Sequence, residues 1–124
     1  MIYLDTHAVI WLYQNDREKF TLKGADLIEG EELFISPMVE LEIEYLFEIE
    51  KIREKSSPIL DYLRARIGLK VSEVSFSDVI KTAKTMKWTR DPFDRIITAG
   101  AAVQDVPLLT KDRTILTHYP KAIW

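Results

Sequence analysis

Arg90-Asp91-Pro92-Phe93-Asp94-Arg95, leading into Ile96-Ile97-Thr98-Ala99-Gly100-Ala101-Ala102-Val103, is the stretch from which the fold can be worked outward. Asp before Pro, with a second acid three residues on, is a helix start. Asp91 can cap free N–H groups, Pro92 suits the first helical position, and Asp94 sits where the helix dipole favours negative charge. The run that follows is apolar nearly all round, which predicts a buried helix. Its Ala99-Gly100-Ala101-Ala102 segment suits close approach to a sheet, since glycine inside a helix costs about 1 kcal/mol against alanine.

The rest of the chain supplies that sheet. Ile2-Tyr3-Leu4 reads as a buried strand ending at Asp5-Thr6, with a helix after it marked by Ala8, Ile10, Trp11 and Leu12. A second helix is predicted over 18–30, with Ala25, Leu27 and Ile28 as core contacts and Gly30 as its stop. Leu33-Phe34-Ile35-Ser36 is a second buried strand, and Pro37 to about Glu54 a glutamate-rich helix. On a helical wheel Glu40, Glu44 and Glu48 form a solvated stripe with Lys51. Glu42 instead falls within the apolar arc of Met38, Leu41, Tyr45, Leu46, Ile49 and Ile52. A carboxylate there is costly unless it is paired or binds a metal.

A helix over Ser57 to Ile67, capped by Gly68, is expected to form an αα-hairpin with the previous one, standing off the sheet. Leu69 to Val74 alternates as a strand, and a helix from Ser77-Asp78 to about Trp88 carries Val79, Ile80, Ala83 and Met86 on its buried side. Val106-Pro107-Leu108-Leu109 is a strand ended by Thr110-Lys111-Asp112, and Ala122-Ile123-Trp124 a final edge strand. The alternation of strands and helices predicts an α/β fold around a mostly parallel sheet.

At 124 residues, with 47% apolar and 30% charged residues, the chain is expected to be one globular domain. There is no cysteine, so no disulfide framework and no thiolate metal site. No leader or membrane-spanning run is evident, and a cytoplasmic location is the expectation. The net charge of −3 is unevenly spread: residues 1–75 hold 9 basic against 15 acidic residues, and residues 76–124 hold 8 against 5.

Five carboxylates, Asp5, Glu42, Asp91, Asp94 and Asp112, fall at strand carboxyl ends, at a helix start or on an inward helix face. Each is also open to a plain reading as a cap or a buried, paired acid. In a parallel sheet those places converge on one crevice. Clustered acids repel one another and invite a divalent cation, and oxygen-only donors favour Mg²⁺ or Mn²⁺ over Zn²⁺. Lys87, Arg90, Arg95, Lys111 and Arg113 lie near these acids in sequence and are candidates for holding phosphates. Hydrolysis of a nucleic-acid backbone suits both signs of charge. A phospho-receiver domain also clusters acids, but position 7, after Asp5-Thr6, is His rather than a second Asp. A noncatalytic binding module is the other alternative. His7 and His118 read as surface or packing residues, and Trp11, Trp88 and Trp124 as core or partner contacts.

Tyr3-Leu4-Asp5-Thr6-His7-Ala8 with Trp11, Ser36-Pro37 through Glu42-Ile43, Asp91-Pro92-Phe93-Asp94-Arg95-Ile96-Ile97 with Ala99, and Leu109-Thr110-Lys111-Asp112 occur in that order along the chain. Together they resemble the PIN-domain proteins, specifically the VapC-type toxins of toxin–antitoxin pairs. The resemblance implies a three-layer α/β fold with a central parallel sheet flanked by helices and the active site at the strands' carboxyl ends. It also implies divalent-metal-dependent endoribonuclease activity on RNA, homodimers and a cognate antitoxin. By position, Asp5, Glu42 and Asp94 match the family's core acids, with Asp112 as the usual fourth. Asp91 is open between metal ligand and cap. Thr6 and Thr110 are expected to orient carboxylates or water through their hydroxyls.

Overall fold

The computed structural model describes residues 1–124. Five short parallel strands form one sheet: β1 (Ile2–Leu4), β2 (Leu33–Ile35), β3 (Lys70–Val71), β4 (Leu108–Leu109) and β5 (Ala122–Ile123), in the spatial order β3-β2-β1-β4-β5. Registers such as Ile2 beside Leu33 and Leu4 beside Leu109 align the carboxyl ends. The central strands are apolar on both faces because both are covered. Ile2, Leu4, Ile35, Leu108 and Leu109 are wholly inaccessible to solvent.

Seven helices flank the sheet: α1 (Thr6–Tyr13), α2 (Leu22–Gly30), α3 (Pro37–Glu48), α4 (Ser56–Ile67), α5 (Phe76–Ala83), α6 (Pro92–Gln104) and α7 (Arg113–His118). The chain steps outward from β1 to β2 and β3, then crosses back to β4 on the other side of β1. That makes the gap between β1 and β4 the topological switch point, where open α/β sheets place their ligands. α6 is the buried helix expected, with Ile97, Ala99 and Ala101 fully enclosed. A side-chain carbon added at Gly100 would lie 3.6 Å from the Tyr3 ring and 3.7 Å from Ser36, so the helix backbone sits close over β1 and β2.

Several boundaries differ from the sequence expectation. α3 stops at Glu48, not Glu54: Glu50 enters the left-handed region (φ 61°), the Lys51 N–H reaches back to the Leu46 carbonyl, and the Glu50 N–H to that of Phe47. This closes the carbonyls of the last turn without a glycine. Glu44 is not simply part of a solvated stripe. Its Oε1 accepts from the Ser56 backbone N–H (3.1 Å) and hydroxyl (2.9 Å), fastening the start of α4.

Nor does the hairpin stand off: Ile59, Leu60 and Leu63 of α4 belong to the main core. In α2 Leu27 and Ile28 pack on the main core as expected, half-buried, while the fully buried residue is Gly24, packed near Leu109. β3 is two residues rather than six, and α5 ends at Ala83. α7, which sequence reading left without a helix, begins at the Asp112 cap.

Candidate active site

Asp5, His7, Trp11, Glu42, Asp91, Asp94, Lys111 and Asp112 line one open cavity of about 440 Å³ at the switch point. All five carboxylates singled out in the sequence therefore meet, from α3, the start of α6 and the carboxyl ends of β1 and β4. They are separated by as many as 107 positions along the chain, and only the crossing of the sheet brings them together.

Capping and site-building turn out to be the same act. Asp5 is the cap of α1, with Oδ1 accepting from the Thr6 N–H at 2.7 Å and Oδ2 from the Thr110 hydroxyl at 2.6 Å. The Thr110 hydroxyl also accepts from the Asp112 N–H at 3.0 Å, so one threonine ties the ends of β1 and β4 together. Asp112 caps α7 by accepting from the Ile115 N–H at 2.9 Å through Oδ1, and Asp91 caps α6 by accepting from Phe93 and Asp94 N–H groups, again through one oxygen. In both, the second oxygen has no protein donor. Glu42 accepts from the Thr6 hydroxyl through Oε1 and keeps Oε2 free. Asp94, at the third helical position of α6, accepts no hydrogen bond and makes no ion pair.

The electrostatics follow. Burial pushes the Asp5 carboxyl above its ordinary range, opposed by its bonds to Thr110 and Thr6. Burial likewise raises Glu42, partly offset by Thr6 and reinforced by Asp5 and Asp91. Asp94 is pushed up to about 7, first by burial and then by Asp91, Asp5, Asp112 and Glu42. These acids surround space with no cation among them close enough to pair.

No three of the acids are drawn tightly enough to form a closed ligand set. Like charges facing one another are expected to keep that spacing. The donor set nevertheless fits a hard divalent cation. It is all oxygen, most of its members hold an uncommitted lone-pair oxygen, and Mg²⁺ is commonly bound by a few carboxylates and several waters rather than by a complete protein cage.

Of the basic residues proposed for phosphates, Lys111 alone lines the cavity. Lys87, Arg90 and Arg113 are exposed and outside it. Arg95 turns toward α5, its Nε donating to the Ala83 carbonyl at 2.8 Å and its Nη2 to that of Lys84 at 3.4 Å. The guanidinium thereby adds a second donor to the Ala83 carbonyl, which already accepts from the Met86 N–H, and supplies one to the Lys84 carbonyl just past the end of α5. His118 is exposed and stacks on Trp88.

His7, expected as a surface or packing residue, and Trp11, expected as a core or partner contact, both belong to the cavity wall instead. They lie one and two turns into the helix that Asp5 caps, and their four-residue spacing is the signal that they share a face.

Comparison with known proteins agrees with this architecture. Ribonuclease VapC22 of Mycobacterium tuberculosis is 28% identical over 130 residues, spanning 99% of this chain and 98% of that protein. Among solved structures, VapBC2 from Rickettsia felis bound to a promoter DNA fragment superposes with a TM-score of 0.67 at 18% identity, covering 99% of this chain and 96% of its counterpart. A toxin–antitoxin complex from Klebsiella pneumoniae gives 0.68 at 15% identity, covering 100% and 97%. At these identities the structural likeness speaks for the fold. The sequence matches the PIN domain family over residues 2–121, and with the switch-point acids in place, the chain belongs to the PIN domain family.

Proposed function

We propose that this protein is a divalent-metal-dependent endoribonuclease acting as the toxin of a toxin–antitoxin pair. The observation that carries the reading is the convergence of Asp5, Glu42, Asp91, Asp94 and Asp112 on one cavity, in a chain of the PIN family with a ribonuclease relative along its whole length. Asp5, Glu42, Asp94 and Asp112 would hold Mg²⁺ or Mn²⁺, with Asp91 adding negative charge and a free oxygen beside them. Such an ion supplies a more acidic water and offsets charge on the phosphate during hydrolysis of the phosphodiester.

The chain's own residues do the rest. Thr110 holds Asp5 by Oδ2 and Asp112 by its N–H, so the Asp5 carboxylate is tied to the backbone that carries Asp112. Thr6 sets Glu42 against the start of α1. Lys111 offers a cation to the substrate's phosphates.

An antitoxin needs a surface to cover. Leu41, Tyr45 and Ile49 are exposed at four-residue spacing along α3, with Tyr45 packed on Phe93 of α6 near the acids. Exposed apolar runs of this kind mark protein contacts, and the antitoxin or a second copy of the chain would bury this one.

Purified protein incubated with single-stranded and structured RNAs in Mg²⁺, Mn²⁺ or chelator, beside D94N, tests the proposal. Metal-dependent cutting that D94N abolishes is the expected result. Absence of cutting with either ion, together with a melting temperature indifferent to Mn²⁺, overturns it in favour of a noncatalytic binding module.

A further inference from the structure

One wall of the acid cavity is built differently from the others. Trp11 lines it, half-buried, with the Lys111 ammonium 5.7 Å and the Lys19 ammonium 5.6 Å from its ring centroid. Lys19 comes from a single 3-10 turn, Arg17–Lys19, and Lys111 from the loop between β4 and the Asp112 cap. The indole is itself fixed. Phe20 and Trp124 meet it edge-on at 6.4 and 5.6 Å, and these two pack on each other at 4.9 Å.

Lys111 shares the cavity with five carboxylates, yet no carboxylate oxygen lies within ion-pair distance of it. An ammonium free to choose would move onto the acids. Instead it lies over an aromatic face, whose quadrupole attracts a cation without neutralising it. The consequence is an available positive charge at the α1 side of a strongly negative cavity.

We propose that Trp11 is a positioning residue that keeps Lys111 at the cavity mouth as the binding point for an RNA phosphate neighbouring the one to be cut. This deepens the proposed nuclease function and rests on it. A polyanion approaching five carboxylates is repelled, and a cation held off those carboxylates by an aromatic ring gives the strand a fixed point of entry on one side. It also assigns a role to the His7–Trp11 face of α1.

The test measures binding of a short fluorescent single-stranded RNA by anisotropy in Mn²⁺, on the D94N background so that cleavage does not intervene. K111Q is expected to weaken binding and to reduce the slope of log affinity against log salt by about 0.7, the loss of one phosphate contact on a single strand. W11L is expected to weaken binding about 2- to 5-fold, and to add nothing once K111Q is present. In the otherwise native enzyme W11L raises KM and leaves kcat in place, and W11F restores most of the loss.

Because Trp11 also packs on Phe20 and Trp124, W11L can fail to fold. A scan of RNAs carrying a single neutral methylphosphonate then decides with the native Trp11 in place: one position weakens binding when Lys111 is present and has no effect on K111Q. Losses from W11L and K111Q that multiply independently, or a scan in which no position distinguishes the two proteins, overturn the proposal. Failure of the nuclease reading shows separately, as a native protein that binds RNA through this rim and does not cut it.

Discussion

Replacing Asp94 by Asn should stabilise the metal-free protein while abolishing its activity. Asp94 is half-exposed and accepts no hydrogen bond, and its carboxyl is lifted from 3.8 to about 7, first by partial burial and then by the four other acids it faces. A carboxyl whose folded value exceeds its unfolded one favours the fold below about pH 4. That contribution is lost as the pH climbs through about 7. At about 1.4 kcal/mol per pH unit the displacement sets a ceiling of about 4 kcal/mol, and solvent screening at a half-exposed group brings it to about 1 to 2 kcal/mol.

The charge also gains about 0.3 to 1 kcal/mol from its place in the first turn of α6, which Asn forgoes. A net gain of about 1 kcal/mol corresponds to about 4 °C in Tm for a domain of this size. Thermal melts in chelator should therefore place D94N about 4 °C above the native chain at pH 7.5, with the gap closed by pH 4. A D94N protein that melts at or below the native chain at pH 7.5, or a gap that persists unchanged at pH 4, refutes the electrostatic account of this site.

Three further outcomes are expected. Saturating Mn²⁺ should raise the native Tm by mass action, about 2.7 kcal/mol of stabilisation at a hundredfold excess over Kd, and should raise that of D94N far less; isothermal titration would check the binding directly. Thr110→Val strips the donor from buried Asp5 Oδ2 and unties Asp112, so denaturant melts should show a loss of about 1 to 3 kcal/mol, and cleavage should fall with it. Glu44→Ala removes the fastening of α4 at Ser56, which should lower the midpoint of the same melts and leave cleavage per folded molecule unchanged.

Much of this protein was legible in its sequence, for local physical reasons. The strand Ile2–Leu4, the helix starts at Pro37 and Pro92 and the stop at Gly68, where φ is 68°, are written in apolar runs, caps and a left-handed glycine. The five acids were equally visible, because a carboxylate beside a strand end or on an apolar helix arc is an anomaly in one dimension. Their capping roles and their meeting in one cavity did not compete: caps orient side chains at element termini, and the termini of parallel strands lie together.

Only the tertiary structure decided the rest. The early stop of α3 depends on a left-handed Glu50 that no residue preference foretells, and the capping of α4 by Glu44 on a contact across twelve positions. α7 is six residues long, too short to carry a clear helical period. Whether a cation serves the site or the scaffold was equally hidden. Arg95 and Lys111 both stand next to an acid in sequence, yet one closes the end of α5 and the other rests over Trp11 at the cavity mouth. Sequence spacing ranks residues by nearness along the chain, whereas the direction of a long side chain is set by what packs around it, and here that was a pair of backbone carbonyls for Arg95 and an indole held by Phe20 and Trp124 for Lys111.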